Sequence, residues 1–403
     1  MTGRGLGACL AAASLFASGC GARPFSHHLL DAVMEGAHRP APVEEPVFAE
    51  PDAFGRRFVL LSGDLHCHVR PPDSPRHVSR GLTETIELAR GEGLDFVVLT
   101  PHVRSLFFQD EEMRAEVLEE LGALRKGLPP PQLGHPLFIV GFEYTDRLYG
   151  HVGAGFADLA EVLEAVPAEE ALAHPARFFE EWTRRGGLLV INHPLLTPLD
   201  SIIGRAQWNL SWRPFTESGP FPEEILSVGR IAQTYEAYNL AVSELRDRFL
   251  LGNKLQSLEA TLARVDREIV SHGRPMTPVG GSDSHSGHLR AATFVLSHGR
   301  SAEAIREAIG AGRVCVRDPA ACSFSARTAE GRWLPPGSSI HDVDRVWARA
   351  QGEDVEILAN GVTFRPPSSG EPVAVPVERG RCAVIRARVG KGYAAPIYAN
   401  CPF

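Results

Sequence analysis

The sequence predicts an α/β fold followed by a small β domain, on three observations. Between Phe58 and about Asp318, short apolar runs alternate with helical patterns, as in strands joined by helices in a parallel sheet. After Asp318 the helical pattern stops, and short alternating segments separated by Gly and Pro take over, which reads as a β-sandwich. At 403 residues the chain has room for one barrel-sized domain and something smaller.

The N-terminus reads as a targeting segment over residues 1–19. Arg4 precedes a short apolar run from Leu6 to Phe16, too short to span a bilayer, and Ala17-Ser18-Gly19-Cys20 follows. Small residues before a cysteine resemble a bacterial lipobox, although Ala17 stands where Leu is preferred. Cys20 is then the lipidated residue of an exported envelope protein, and Gly21 after it suggests outer-membrane sorting. The plainer alternative is an ordinary secretory signal. Residues 20–56 contain Pro24, Pro40, Pro42, Pro46 and Pro51 and read as a tether.

Within residues 57–318 the first strand, Phe58–Leu61, leads into Gly63-Asp64-Leu65-His66-Cys67-His68. A short helix over Thr83–Gly91 precedes a buried strand, Phe96–Leu99. Glu111–Gly127 is an amphipathic helix with Val117, Leu118, Leu121 and Leu124 on its apolar side, and Leu137–Val140 is the next strand. A helix over Pro175–Gly186 and a strand over Leu188–Ile191 follow. Ile231–Tyr235 precedes Glu236-Ala237-Tyr238-Asn239, and one long helix is expected over Ser243–Ser271, bent at Gly252. Pro278–Gly281, a helix over Ala302–Ala311 capped by Ser301, and Val314–Val316 complete the series. In residues 319–403, Asp354–Leu358, Val373–Val377 and Ala383–Val389 are strands. Residues 195–230 form an insertion with Trp208, Trp212, Phe215 and Phe221, either a substrate lid or packing over the mouth of the fold.

The composition, 44% hydrophobic and 22% charged, is that of a soluble globular protein, and a net charge of −8 argues against a general nucleic-acid or anionic-membrane binder. Cys315, Cys322, Cys382 and Cys401 cluster near the C-terminus, where one or two disulfides in any of three pairings, or unpaired structural cysteines, are open.

The chemistry-bearing residues fall at strand ends. On a strand Asp64, His66 and His68 point one way and Cys67 the other. A lone His-x-His is a weak signal. Here, however, His102, Glu143, His151, His193, Asp283 and His285 each follow an apolar run, and strand ends of a parallel barrel open onto one face. Imidazoles and carboxylates converging there point to a transition-metal centre.

These motifs resemble those of the PHP (polymerase and histidinol phosphatase) superfamily. They run in order from Gly63–His68 through Leu94–His102, Gly141-Phe142-Glu143 and Asn192-His193-Pro194 to Ser282-Asp283-Ser284-His285. Gly150-His151-Val152, Glu236–Asn239 and Pro396–Asn400 look most like its CehA/McbA branch. The resemblance implies a distorted (β/α)7 barrel holding two or three divalent ions (Mn, Zn or Fe). Carried over, His66, His68, Glu143 and Asp283 hold one ion. Glu143, His151 and His193 hold a second, and His102, His285 and Asp73 a third. The family's Thr-Asp-His is Thr-Pro-His here, and Val69-Arg70-Pro71-Pro72 replaces its Thr and Ser run, so His77 is an alternative to Asp73.

The implied activity is hydrolysis by a metal-activated water, with Asp64 orienting a histidine ring and Arg104 or Arg290 gripping a phosphate ester. For each arginine a solvated surface residue is the alternative. A phosphoester is the first-choice substrate, and a carbamate, ester or amide is the competitor that the CehA/McbA resemblance supplies. A metal-holding envelope protein without activity is the reading from outside the enzymes.

Overall fold

The computed structural model describes residues 31–37, 39–40, 47–48, 50–52, 54–132, 134–194, 210–249 and 257–403. The targeting segment, Cys20, Trp208 and Gly252 lie outside them. No helix among the described residues is long and apolar enough to cross a membrane.

The first strand is longer than its apolar run suggests. β1 spans Val59–Cys67 and carries the His66 motif inside it. β2 (Phe96–Leu99) and β4 (Leu137–Val140) lie parallel beside it; on its other side β10 (Thr293–Ser297) runs antiparallel to it, and β11 (Val314–Val316) runs antiparallel to β10. A second sheet runs β3 (His102–Arg104), β5 (Phe142–Asp146), β6 (Gly150–Gly155), β7 (Leu188–Ile191), β8 (Thr234–Asn239) and β9 (Thr277–Gly281). β6 is antiparallel to both neighbours, so the strands are not uniformly parallel.

The two sheets meet at the motif ends. β2 passes into β3 and β4 into β5, tied by Gly141 N–H donating to the Leu99 carbonyl at 2.8 Å. At the other side Asp283 N–H donates to the His66 carbonyl at 2.8 Å and His68 N–H to the Ser284 carbonyl at 3.1 Å. Strand ends distant in sequence are thus bound backbone to backbone. Every backbone group left unpaired in such a core costs about 1–3 kcal/mol, so these ties fix the ends firmly.

The helices cover the sheets as their apolar spacing dictates. Pro175–Arg184 begins with a proline, whose missing N–H costs nothing there, and buries Phe178, Phe179 and Trp182. Each such ring contributes about 1.5–3 kcal/mol on burial. Ser301 caps Ala302–Gly310 by accepting from the Ala304 amide, and Ile305 and Ile309 face inward. The single helix expected over Ser243–Ser271 is instead two, Leu240–Phe249 and Leu258–His272, with 250–256 outside the described residues.

The C-terminal strands do not form a detached unit. β20 (Gly392–Ala394) pairs with β11, which joins β19 (Ala383–Val389) and β21 (Ile397–Ala399) to the sheet of β1. Against this sheet packs a second of four strands that includes β12 (Ser325–Arg327), β15 (Arg345–Arg349) and β18 (Val373–Pro376), burying Ala326, Val346, Ala348, Val375 and Ile385 between them. Disulfides join Cys315 to Cys322 and Cys382 to Cys401.

The tether expectation needs a correction. Residues 31–35 are helical, and Val33, Met34 and Ala37 are buried in the main core. Apolar residues at that spacing gain more from burial than from staying in water. In the insertion, Trp212 is fully buried against Tyr144 and Tyr149, which is packing, while 195–209 lie outside the described residues.

Candidate metal centre

The site is assembled where strand register breaks. The register of β1 against β2 shifts between Asp64 and Cys67, and that of β8 against β9 shifts between Glu236 and Tyr238. Such irregularities re-aim side chains, here His66 and Glu236. Gly281 allows the closest approach, because a Cβ there would lie 2.2 Å from that of His66 and 2.7 Å from Glu236 Oε1. His193 and Asp283 have φ of +26° and +51°, a region costly for residues other than glycine and concentrated at functional sites.

Glu143 stands at the centre. Its Oε1 lies 3.3 Å from His66 Nε2, 3.4 Å from His193 Nε2 and 3.1 Å from His151 Nδ1. Its Oε2 lies 3.3 Å from His102 Nε2 and 3.8 Å from His68 Nε2. Asp283 Oδ1 faces His66 and His68 Nε2 at 3.5 and 3.4 Å. Three groups of ligand-type atoms result: His66–Glu143–His193, His66–His68–Asp283 and His68–His102–His285.

The positions of the ring protons decide whether these residues fit a divalent ion. Nδ1 of His66 faces Glu236 at 3.0 Å; those of His68 and His102 face the two oxygens of Asp73 at 3.1 and 2.7 Å. His285 Nδ1 faces the Asp283 carbonyl at 2.9 Å. These acceptors place the proton on Nδ1 and leave the lone pair on Nε2. His66 and His68 Nε2 then sit 3.1 Å apart, ringed by carboxylate oxygens. Acceptors crowded without a donor between them call for a cation, and atoms about 2 Å from one ion stand about 3–3.5 Å from each other. The residues fit.

The electrostatics agree. Burial opposes charge on His66, yet Asp283, Glu236 and Glu143 hold it well above the usual range, and bonds to Asp283 and Asp73 bring His68 up to about 9 against the same penalty. Burial would push Glu143 up, but His151 and His66 hold it well below the usual carboxylate range; Asp283 is lowered in the same way by His66 and His68. Burial holds His285 well below its usual range and lowers His151, so the pull toward positive charge is concentrated at His66, His68 and His193.

Several expected roles change. Asp73, expected as a third-ion ligand, lies behind His68 and His102 and belongs to none of the three groups, because both its oxygens are taken by their Nδ1 atoms. His77, its alternative, is exposed, its ring 6.2 Å from that of His102. Asp64 orients no ring: it accepts from the His66 amide and the Ser282 amide, each at 2.9 Å, and from the Ser282 hydroxyl. Burial pushes its carboxyl up to about 6. Arg290 is committed to Glu92 and to the Leu289 carbonyl, and is buried there. Arg104 is exposed at the end of β3, beside His102. His151 touches Glu143 but joins no three-residue group.

Two residues without an assigned role enter the site. Glu236 accepts from His66 and from the His193 amide at 2.7 Å, and Asn192 donates to Glu143 at 2.8 Å. Both stood in motifs already noted in the sequence, and the signal was a polar residue inside an apolar strand end. A cavity of about 460 Å³ lined by Arg90, Asp95, His135 and Arg300 lies at the opposite ends of β2 and β4 and takes no part.

No family model and no curated protein matches the chain. Among solved structures it is similar to a Bacteroides vulgatus two-domain protein containing predicted PHP-like metal-dependent phosphoesterase (15% identity, 90% of this chain, 100% of that one, TM-score 0.41). It is similar to PsfC from Pseudomonas syringae (14% identity, 62% of this chain, 87% of that one, TM-score 0.36). It is also similar to the lesion-specific endonuclease PfuEndoQ from Pyrococcus furiosus (17% identity, TM-score 0.34), spanning 62% of this chain and 56% of that one. What the site can do is read from its own geometry.

Proposed function

We propose that the chain is a metal-dependent hydrolase, with a phosphoester as its first-choice substrate. The observation that supports it is the convergence of lone-pair Nε2 atoms from His66, His68 and His102 on the oxygens of Glu143 and Asp283, with His285 grouped beside His68 and His102. The donor set is imidazole and carboxylate with no thiolate, which suits Mn, Zn or Fe. Divalent ions held here supply an activated water and neutralise charge on a phosphoryl oxygen. The chain's own part is to hold the rings in one tautomer, through Glu236 and Asp73, and to keep Glu143 ionised between them. Cys67 is fully buried, and burial pushes its thiol up to about 11 against the opposing pull of Arg80, so it is no nucleophile.

The strand ends are read as the mouth of a distorted seven-stranded barrel over 57–318, with 319–403 as a β domain built onto it. The leading residues are read as a lipoprotein signal, with the lipid on Cys20 and the catalytic body in the cell envelope. The test is metal analysis of the purified chain together with turnover of a phosphomonoester, a phosphodiester, a carboxylic ester and a carbamate under Mn, Zn and Fe. Phosphoester turnover that chelation abolishes and metal restores is the expected result. Turnover of the ester or carbamate alone replaces the substrate assignment, and metal binding without any turnover leaves a scaffold in place of an enzyme.

A further inference from the structure

Arg80 is fully buried, and among the described residues it forms no ion pair with a carboxylate. A guanidinium taken from water without a counter-charge is costly, so its donors must be well used. They are. Nε donates to the Thr85 hydroxyl at 3.0 Å. Nη2 donates to the carbonyls of His68 at 3.0 Å and Ser284 at 3.1 Å, and touches Cys67 Sγ at 3.1 Å. Nη1 donates to the Ser284 hydroxyl at 2.7 Å and to the Ser286 carbonyl.

Apart from Thr85, on the helix Leu82–Gly91, those partners belong to two separate segments. His68 directly follows the strand that carries His66, while Ser284 and Ser286 flank His285 in the loop that carries Asp283. The backbone around Arg80 repeats the link, since Arg70 N–H donates to the Arg80 carbonyl at 3.2 Å and Ser79 N–H to the His285 carbonyl at 2.9 Å. One planar fork therefore spans both ligand-bearing segments from behind, a geometry that an ammonium cannot copy.

We propose that Arg80 is a positioning residue that sets the separation of His68 from Asp283 and His285, and so governs the two ligand groups containing His68. The group His66–Glu143–His193 contains none of the residues whose backbone Arg80 holds and is independent of it. The metal part of this inference rests on the metal-centre reading; the backbone part does not.

The test compares wild type with Arg80→Met, which keeps much of the volume, and with Arg80→Lys, which keeps the charge without the fork. Hydrogen exchange is followed at the amides of Ser79, His68 and Asp283, and binding of Mn and Zn is measured by titration and metal content. Both variants should exchange faster at these three amides and not along β6 and β7. They should lose affinity by about 10–100-fold, as for other groups behind metal ligands, only for ions that need His68. Should Arg80→Met fail to fold, Ser284→Ala removes one acceptor and should shift the same readouts less. Unchanged exchange, or equal loss at every ion, overturns the role of Arg80. A wild type that binds no divalent ion overturns the metal-centre reading instead, and the exchange experiment still decides the Arg80 contact.

Discussion

Glu236 Oε1 lies 3.0 Å from His66 Nδ1, and its second oxygen receives the amide of His193, so one buried carboxylate aligns ligands from two strands. Replacing it tests the alignment. Glu236→Gln keeps the shape but removes the charge that favours the Nδ1–H tautomer of His66. Metal affinity should fall about 10–100-fold with the fold intact, measured by titration and circular dichroism. Wild-type affinity in this variant would leave Glu236 as packing alone.

Asp73 offers a sharper choice, because a ligand and an orienting group respond differently to the same change. Behind His68 and His102, the substitution Asp73→Asn should weaken binding while leaving the stoichiometry at saturating metal unchanged. Loss of a whole ion per chain at saturation would restore Asp73 to the ligands.

What the sequence revealed and what it hid follows from range. Strands such as Leu137–Val140 and the Ser301 cap are local patterns and appear where expected. Most of the histidines could be found because they stand just past an apolar run, whereas His151 lies near the start of β6. The partners behind them could not: Glu236 is 170 positions from His66, and no periodicity pairs them. Arg290 looked free for substrate for the same reason, its partner Glu92 being 198 positions away. Arg80 carried no signal because a lone arginine in the loop between a strand and a helix reads as a solvated one. The docked turn at Val33 and Met34 is shorter than any window in which helical spacing can be counted. The reversal of β6 was hidden as well, since strand direction leaves no mark in local composition.

That docked turn has a pH dependence of its own. Burial opposes ionisation of Asp31, but contacts from His288, Ser286 and the Gly287 amide bring its carboxyl down to about 2 from an ordinary 3.8. A depressed acid stabilises the docked form fully above its unfolded value and loses that contribution as pH falls from there through the folded one. Residues 31–37 should therefore release between about pH 4 and pH 2 while the sheets persist, seen as faster hydrogen exchange or proteolysis there. Asp31→Asn should exchange rapidly already at pH 7, and a pH-independent segment would show that the apolar contacts of Met34 suffice.

Arg386 joins the C-terminal strands to the rest. Fully buried on β19, it donates to Asp266 on Leu258–His272, to the Tyr235 hydroxyl at 3.1 Å and to the Ala394 carbonyl at 3.3 Å. Breaking a fully buried pair costs about 3–5 kcal/mol; Asp266 keeps 26% of its side chain in water, so Arg386→Met should cost less than that. The loss should appear as a lower Tm with metal affinity unchanged, because no ligand touches Arg386. Adding Asp266→Asn should recover part of it, since the acid then no longer lacks its partner. A single variant as stable as wild type would mean that the apolar layer between the two sheets carries the C-terminal strands without this ion pair.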